Sequence, residues 1–224
     1  MLKYAMECIY CNNKKLYHLN SGQLKCSNCK KKFSVKKIEK DLKIIECFCN
    51  DLNINEVSKK LDINYVTVKK RYDLFRQLIA SRLEDEFKDK TVIEYDEYIY
   101  LEKSKRDIKE NIFDAQNFLT FHYDNKIYNL LMQNLNMYKN QFMDDGADEA
   151  YFKEFSKYMM CNKISKIQKK ENLITRFWIF FEKSILKYKG VRHENFFYYL
   201  KEIEFKFNYS KEMQENFLID FYKE

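Results

Sequence analysis

Apolar side chains recur at helical spacing in the first 90 residues of the chain. The first such stretch, residues 38–50, carries them on one helix face: Ile38, Leu42, Ile45 and Cys49. A short second helix follows, with Asn53 or Asn55 as its N-cap, and residues 62–64 form a turn. A longer third helix begins near Tyr65. This order predicts a helix-turn-helix fold over residues 38–84.

The third helix has an apolar and a polar face. Its predicted packing residues are Val66, Val68, Tyr72, Phe75, Leu78, Ile79 and Leu83. Its predicted exposed residues are Asn64, Tyr65, Thr67, Lys69, Lys70, Arg71 and Arg76. In a helix-turn-helix, residues near the start of this helix contact base edges, and the Lys and Arg side chains suit phosphates. The alternative is a plain helical hairpin with a charged, solvated face.

The pattern changes after a charged stretch at residues 84–90, which is the best candidate for a linker. Strands are predicted at residues 91–101, 117–123, 126–132, 141–143 and 161–165, with a turn at Asp124 and Asn125. Helices are predicted at residues 149–159, 172–189 and 194–208. Antiparallel strands followed by alternating strands and helices indicate a mixed-sheet α/β domain over residues 91–224.

Four N-terminal cysteines stand in two C-x-x-C pairs that are 14 residues apart. They are Cys8, Cys11, Cys26 and Cys29. Each pair can supply two corners of a tetrahedron, so the two predict a structural four-thiolate zinc site. The segment between them alternates polar and apolar residues around Gly22, which predicts a hairpin that brings the pairs together. The sequence therefore predicts a zinc ribbon over residues 1–37; unliganded or redox-active cysteines are the alternative.

A basic stretch follows the last cysteine, at residues 30–37, and its apolar positions indicate a strand. Such a strand either follows a phosphate backbone or lies as a solvated edge strand, and the pattern does not decide between these. The remaining thiols, Cys47, Cys49 and Cys161, lack metal-binding spacing and are expected to be ordinary buried or half-buried thiols.

The positive charge of the chain is concentrated at one end. The formal net charge of the 224 residues is +7, and residues 1–90 hold 20 Lys and Arg against 12 Asp and Glu. The rest of the chain holds 21 basic and 22 acidic residues. A basic region beside a neutral one is typical of nucleic-acid binders, although a merely soluble basic surface is the alternative. No signal peptide or membrane span is evident, so a cytoplasmic location is expected.

Several motifs in the second half resemble a known family. Residues 92–97, VIEYDE, resemble the first-strand motif of zinc-ribbon insertion-sequence transposases of the ISXO type, which have a ribonuclease-H-like DDE domain. Residues 172–178, NLITRFW, are similar to that family's N-G-I-E-x-F-W. The closing motifs K-Y-x-G-V and Y-L-x-E-x-E-F-x-F-N match residues 187–191 and 199–208. With the ribbon and helix-turn-helix in the same order, the resemblance covers nearly the whole chain.

The resemblance implies a site for two Mg²⁺ ions, held by acidic residues on two strands and a late helix. One ion would activate water or a DNA 3′-hydroxyl, and the other would stabilise the leaving oxygen. Asp96 corresponds to the first ligand, with a surface acidic cluster as the alternative. Asp145, beside Gly146, is favoured as the second, with Asp144 left open; both are also typical turn residues.

The third position departs from the family pattern, because Thr175 replaces the family's glutamate. Asn172 aligns with the motif's asparagine and offers a carbonyl oxygen that can ligate Mg²⁺, but it is equally suited to cap the helix. Glu182 is the other candidate for the third ligand. It lies two turns after Thr175 on the same helix face, about 10.5 Å away, so it can replace the missing glutamate only if the metal site shifts.

Taken together, these patterns predict a multidomain α+β protein: an N-terminal zinc ribbon, a helix-turn-helix and a ribonuclease-H-like mixed-sheet α/β domain. The resemblance implies a bacterial, nucleoid-associated transposase that binds terminal inverted repeats and target DNA, cleaves and rejoins DNA with Mg²⁺, and acts as a homodimer or larger assembly. A catalytically inactive descendant that binds DNA or regulates is the main alternative. An unrelated transcription factor is a weaker one, since it leaves the C-terminal motif unexplained.

Overall fold

The computed structural model describes residues 7–139, 149–167, 171–188 and 191–223. They form two compact units: the described residues up to Phe75 together with those from Tyr209 onward, and Arg76–Asn208. Each unit contains a three-stranded sheet, in the order β1-β2-β3 and β4-β5-β6 respectively. The predicted mixture of helices and strands is therefore confirmed. The ribonuclease-H-like fold and the predicted domain boundaries stay predictions.

The N-terminal unit consists of three short strands and helices. Its strands are β1 (Leu16–His18), β2 (Leu24–Cys26) and β3 (Lys32–Phe33). Its helices are α1 (Val35–Cys49), α2 (Ile54–Leu61), the first half of α3 (Tyr65–Phe87), and the C-terminal helix α7 (Lys211–Lys223). Strands β1 and β2 pair antiparallel, and Gly22 takes a φ of +74° in the turn between them. This pairing confirms the predicted hairpin. Glycine suits the turn because it adopts a positive φ without steric cost.

Local capping chemistry fixes the ends of α2. The Asn53 side chain accepts a hydrogen bond from the Glu56 backbone N–H at 3.0 Å, and the Glu56 carboxylate accepts one from the Asn53 N–H at 2.7 Å. This capping box satisfies two donors that a helix start leaves without partners. Asp62 ends the helix in the left-handed region, with a φ of 51°. Asn53 is thus the cap, and α3 begins at Tyr65 as predicted.

The basic stretch after the cysteines is only briefly a strand. β3 ends at Phe33, and α1 begins at Val35, three residues before its predicted start. Ser34 takes the extended N-cap conformation that commonly precedes a helix. The prediction of a strand over residues 30–37 is therefore wrong beyond Phe33, and Lys36 and Lys37 belong to the first turn of α1.

The helices of the N-terminal unit enclose an aromatic core. The ring of Phe48 meets those of Tyr72 and Phe75 edge-on, with centroids 4.9 and 5.4 Å apart. Helix α7 packs against α1, where Leu218 is buried, and Lys211 donates a hydrogen bond to Asn50. Helix α7 was not predicted from the sequence.

The second unit is built on a meander of antiparallel strands. These are β4 (Glu94–Tyr100), β5 (Gln116–Tyr123) and β6 (Lys126–Leu131). Its helices are the end of α3, α4 (Glu149–Asn162), α5 (Leu173–Ile185) and α6 (Phe196–Asn208). Asp124 and Asn125 take positive φ values of 41° and 59° in the tight β5–β6 turn. These strands, that turn and the three predicted helices are confirmed.

Two connections in the second unit differ from the prediction. The predicted strand at residues 161–165 is reduced to one parallel bridge between Ile99 and Ile164, because α4 continues to Asn162. The predicted linker at residues 84–90 is helical as far as Phe87, whose ring stacks on Tyr128 with centroids 3.8 Å apart. The predicted strand at residues 141–143 lies outside the described residues.

One face of the β4–β6 sheet carries the main core of this unit. Tyr98 and Phe118 face Trp178 and Phe181 of α5, and Leu200 of α6 joins the same cluster. Side chains alternate along a strand, so Glu94 and Asp96 lie on the same face of β4 as Tyr98. Within the described part of the chain, the helices are all too short or too polar to cross a bilayer.

Candidate metal centre and nucleic-acid interface

The four N-terminal cysteines converge on one point. Their sulfur atoms all lie within 4.8 Å of one another. The Sγ atoms of Cys8 and Cys29 are 3.6 Å apart, and those of Cys11 and Cys26 are 3.5 Å apart. Tetrahedral zinc with Zn–S bonds of about 2.3 Å requires sulfur separations of about 3.8 Å. The cluster of Cys8, Cys11, Cys26 and Cys29, hereafter the cysteine cluster, can therefore hold a metal such as zinc.

The surroundings shift the pKa values of two of these thiols in opposite directions. Burial raises the pKa of the Cys8 thiol to about 12, despite hydrogen bonds from backbone N–H groups. A hydrogen bond from the backbone of Asn13 lowers the pKa of the Cys11 thiol to about 6. The backbone N–H of Asn28 donates to the Cys26 sulfur at 3.3 Å. Such N–H···S bonds favour thiolates, and a bound divalent cation would deprotonate the buried thiol as well.

The cysteine cluster is also part of a small core. Cys8 and Cys26 are fully buried, and they pack with Ile9, Leu24 and Phe33. A metal there would join the two hairpin ends through bonds that so small a core cannot replace. Across residues 7–139, 149–167, 171–188 and 191–223, no other group of three His, Cys, Asp or Glu side chains brings its ligand atoms together in this way.

The start of α3 presents an exposed surface. The Asn64 side chain accepts a hydrogen bond from the Val66 backbone N–H at 2.8 Å, which anchors the first turn. Tyr65 is 44% exposed and Val66 is 54% exposed, and Thr67 is exposed beside them. The prediction that Val66 packs inward is wrong, because Val68 takes the buried position of this turn. The exposure predicted for Asn64, Tyr65 and Thr67 is confirmed.

The basic residues of α3 fall into two groups. Lys69 and Lys70 are exposed as predicted, and Lys69 lies 3.2 Å from Asp73 in a solvent-exposed pair. The side chain of Arg71 is only 28% exposed and bonds the buried carboxylate of Asp41 at 2.9 Å. The prediction that Arg71 is exposed is therefore wrong in part, because its guanidinium pairs with a buried acid and only part of the side chain reaches solvent.

Arg76 is not an exposed residue. Its side chain is 4% exposed, and its Nε donates to Glu202 at 2.7 Å. The helical repeat places Arg76 on the face of Tyr72 and Ile79, both of which are buried. The predicted exposure of Arg76 to DNA phosphates is wrong for this reason.

The predicted magnesium ligands are only partly described. Asp144 and Asp145 lie outside the described residues. Asp96 is half-buried on β4 opposite Thr120 of β5, and its Oδ1 accepts a hydrogen bond from the Glu97 N–H at 2.8 Å. Thr120 in turn accepts a hydrogen bond from the indole of Trp178 on α5. Asp96 thus lies on the sheet face that α5 covers.

Asn172 caps α5. Its side-chain oxygen accepts a hydrogen bond from the Thr175 N–H at 2.9 Å, and the Thr175 hydroxyl accepts one from the Asn172 N–H at 3.1 Å. The amide nitrogen of Asn172 donates to Glu94 at 3.0 Å. The N-cap alternative for Asn172 is confirmed, and its contact with β4 lies two residues from Asp96.

Glu182 lies further along α5. It accepts a hydrogen bond from the Tyr98 hydroxyl at 2.7 Å, and Arg106 approaches the same oxygen at 3.5 Å. Arg106 also donates to Ser165, which follows the residue of the parallel bridge. Glu182 is therefore held in a polar cluster beside the bridge.

The closing motif at residues 199–208 contributes buried charges. Glu202 accepts hydrogen bonds from Arg76, from the Tyr188 hydroxyl at 2.7 Å and from Lys206 at 2.6 Å. Burial alone would raise the pKa of Glu202, but the Lys206 and Arg76 cations outweigh it and lower that pKa. The motif is visible in the sequence, but nothing in the sequence indicates that its Glu202 pairs with buried cations.

Glu204 forms the second half of this network. Its carboxylate accepts hydrogen bonds from the backbone and side-chain nitrogens of Asn129 at 2.8 and 2.9 Å, and Lys201 lies 3.4 Å away. Burial nevertheless raises the pKa of Glu204 to about 7. Asn208 bonds both backbone groups of Ile127. These residues join α6 to the edge strand β6, so the motif is structural.

Known proteins offer no further guide to this arrangement. No family model matches the chain, and no curated protein or solved structure matches it. The resemblance to insertion-sequence transposases therefore rests on the motifs quoted above.

Proposed function

We propose that this protein binds duplex DNA through its N-terminal unit, with the start of α3 in the major groove and zinc in the cysteine cluster. The observation that carries the proposal is the exposed first turn of α3, which follows a capped α2 and a tight turn. This is the order of elements by which helix-turn-helix proteins present a recognition helix.

Charge supports the same partner. The excess of Lys and Arg over Asp and Glu lies in residues 1–90, and Lys69 and Lys70 extend from the same helix that presents Tyr65 and Thr67. Lysine side chains near phosphates release condensed counterions, which gives an affinity that falls steeply with salt. Zinc in the cysteine cluster would act in folding, since four sulfur ligands leave no coordination position for water.

A charge-matched pair of variants tests this proposal in the full chain. Lys70→Ala should weaken binding to duplex DNA and reduce the slope of log affinity against log salt by about one. Lys88→Ala removes the same charge from an exposed lysine in the second unit and should leave both quantities unchanged. Equal losses in both variants, or an affinity that is insensitive to salt, would overturn the proposal.

The two candidates for the third metal ligand, Asn172 and Glu182, are already bonded to other protein groups. This favours a transposase-derived DNA-binding protein without strand transfer. The Asn172 oxygen is used in the capping box, and Glu182 bonds Tyr98 and Arg106. Each role is a structural one within α5 or between α5 and β4. The main alternative of an inactive descendant is therefore the preferred form of the proposal.

An active transposase is the second candidate, and one observation favours it. The antiparallel meander β4–β6 is followed by α4 and by a parallel bridge to β4, which is compatible with the beginning of a ribonuclease-H-like sheet. Asp96 lies on the face of β4 that packs on α5, where such enzymes place their third ligand. In this candidate Mg²⁺ would be the catalytic ion, terminal inverted repeats the substrate, and a dimer the smallest active assembly.

This candidate is tested with a plasmid that carries two copies of the selected binding site in inverted orientation. Cleavage or joining that requires Mg²⁺ or Mn²⁺ and disappears in Asp96→Asn would support it. Glu97→Gln is the control, since Glu97 is exposed on the opposite face of β4. Activity that survives Asp96→Asn, or no activity in the unmodified protein, would remove it.

A further inference from the structure

The first turn of α3 exposes several apolar groups to solvent. Tyr65 and Val66 are 44% and 54% exposed, and Thr67 adds a third exposed side chain with a methyl group. The buried side of the helix is supplied by Val68 instead. An aliphatic side chain, Val66, is thus more than half exposed at the second position of the helix.

The asparagine at the start of this turn, Asn64, is committed to the backbone. The side-chain oxygen of Asn64 accepts a hydrogen bond from the Val66 N–H, and its own carbonyl accepts one from Thr67. Bidentate recognition of adenine needs the oxygen and the amide nitrogen of an asparagine together. Asn64 therefore acts as the cap that fixes the turn, and the side chains after it are left to contact the bases.

Among the base edges in the major groove, the thymine C5-methyl is the apolar group. Valine in a helix has one strongly preferred rotamer, so Val66 loses little side-chain entropy when it is placed against such a methyl. Lys70 lies one turn further on the same face and is exposed, which suits a contact to a phosphate beside that base.

We propose that Val66 is a specificity-determining residue that contacts a thymine methyl, so that the site bound by this protein contains thymine at the base step facing the start of α3. This inference rests on the proposed function, because it requires that the first turn of α3 enters the major groove.

Removal of single methyl groups from the DNA tests the contact between Val66 and thymine. Duplex sites are selected from a random pool with the full chain, and each thymine of the selected site is then replaced by uracil, which lacks only the methyl. At one or two positions the replacement should weaken binding about three- to fivefold, the effect of one buried methyl group. Val66→Ala should weaken binding to the thymine site similarly and abolish the difference between thymine and uracil.

The Val66→Ala variant should fold normally, and the chain offers a matched control for it. Alanine is the better helix former and Val66 is exposed, so Val66→Ala is expected to fold. Val92→Ala is the matched control, because Val92 is an exposed valine in the second unit, and it should retain the full thymine preference. Uracil replacement without effect, a thymine preference that survives Val66→Ala, or salt-dependent binding with no selected sequence would each overturn the inference while leaving DNA binding intact. Failure to bind any duplex would instead refute the proposed function, and the inference with it.

Discussion

Asn53 and Asn55 stand two residues apart, and sequence alone leaves either as the cap of α2. In the structure Asn53 forms the capping box with Glu56, whereas Asn55 lies exposed in the first turn of the helix. We expect Asn53→Ala to lower the free energy of unfolding by about 1 kcal/mol, because it leaves helix-start donors without partners. Asn55→Ala should change it by less than about 0.5 kcal/mol. Urea unfolding of both variants checks this; equal effects would contradict the assigned cap.

Arg76 belongs to the interior of the protein rather than to its exposed surface. Its removal would take away one of the two cations, Arg76 and Lys206, that pair with Glu202 in a buried environment. We expect Arg76→Met to lower the free energy of unfolding by about 3 kcal/mol or more. Lys69→Met, which breaks an exposed pair with Asp73, should cost less than about 1 kcal/mol. A small effect of Arg76→Met in urea unfolding would show that the pair with Glu202 does not form.

The difference between Arg71, Arg76 and Lys70 shows what a helical pattern leaves undetermined. Periodicity places Arg76 on the buried face of α3 with Tyr72 and Ile79, but a charged side chain on such a face is stable only with a partner. Its outcome depends on Glu202, which is 126 residues away in sequence. An acid so distant cannot be assigned to a partner from one sequence, so the buried arginine was predicted to be exposed.

Elements whose ends depend on nearby residues were predicted well. The start of α3, the β5–β6 turn and the hairpin at Gly22 follow from turn and capping residues that act within a few positions. Elements that depend on tertiary packing were missed or misplaced. The residues up to Phe87 are helical because that ring packs on Tyr128, and charge composition alone suggested a linker.

Helix α6 places two glutamates in opposite electrostatic environments, which gives a pH-dependent prediction for Glu204. Its folded pKa of about 7 lies above the value of 4.5 for an unperturbed carboxyl. Between these values the unfolded chain has released the proton while the folded chain keeps it, so stability falls as pH rises. Wild-type protein should therefore lose up to about 1.4 kcal/mol per pH unit relative to Glu204→Gln between pH 4.5 and 7, with no further change above that range.

Glu202 provides the contrast for this measurement. Its pKa is lowered in the folded state, so its contribution to stability is present above the unfolded pKa and is lost as pH falls below it. The stability difference between wild type and Glu202→Gln should accordingly increase with pH in the acidic range. The stability of wild type relative to Glu204→Gln should fall between pH 5 and 7. If this relative stability stayed constant or increased, the raised pKa of Glu204 would be contradicted.

For the whole molecule, the cysteine cluster was predictable because the C-x-x-C spacing fixes both pairs locally and a hairpin joins them. The proposed magnesium site has no such local basis in the sequence. It would combine Asp96 on a strand with residues far along the chain, and Thr175 already departs from the family pattern. A departure of that kind changes a site more than it changes a fold, because the Thr175 hydroxyl still accepts a hydrogen bond from the Asn172 N–H and completes the cap of α5.

Zinc in the cysteine cluster is proposed to fold a unit that binds duplex DNA. The most direct test is the affinity of the full chain for its selected duplex before and after metal removal. The zinc-loaded protein should contain one zinc per chain, in keeping with one four-thiolate site. Chelation should weaken binding by more than about tenfold, and added zinc should restore it, because the metal supplies folding free energy to the ribbon. A protein that binds no zinc, or that holds the duplex equally well without it, would contradict the account.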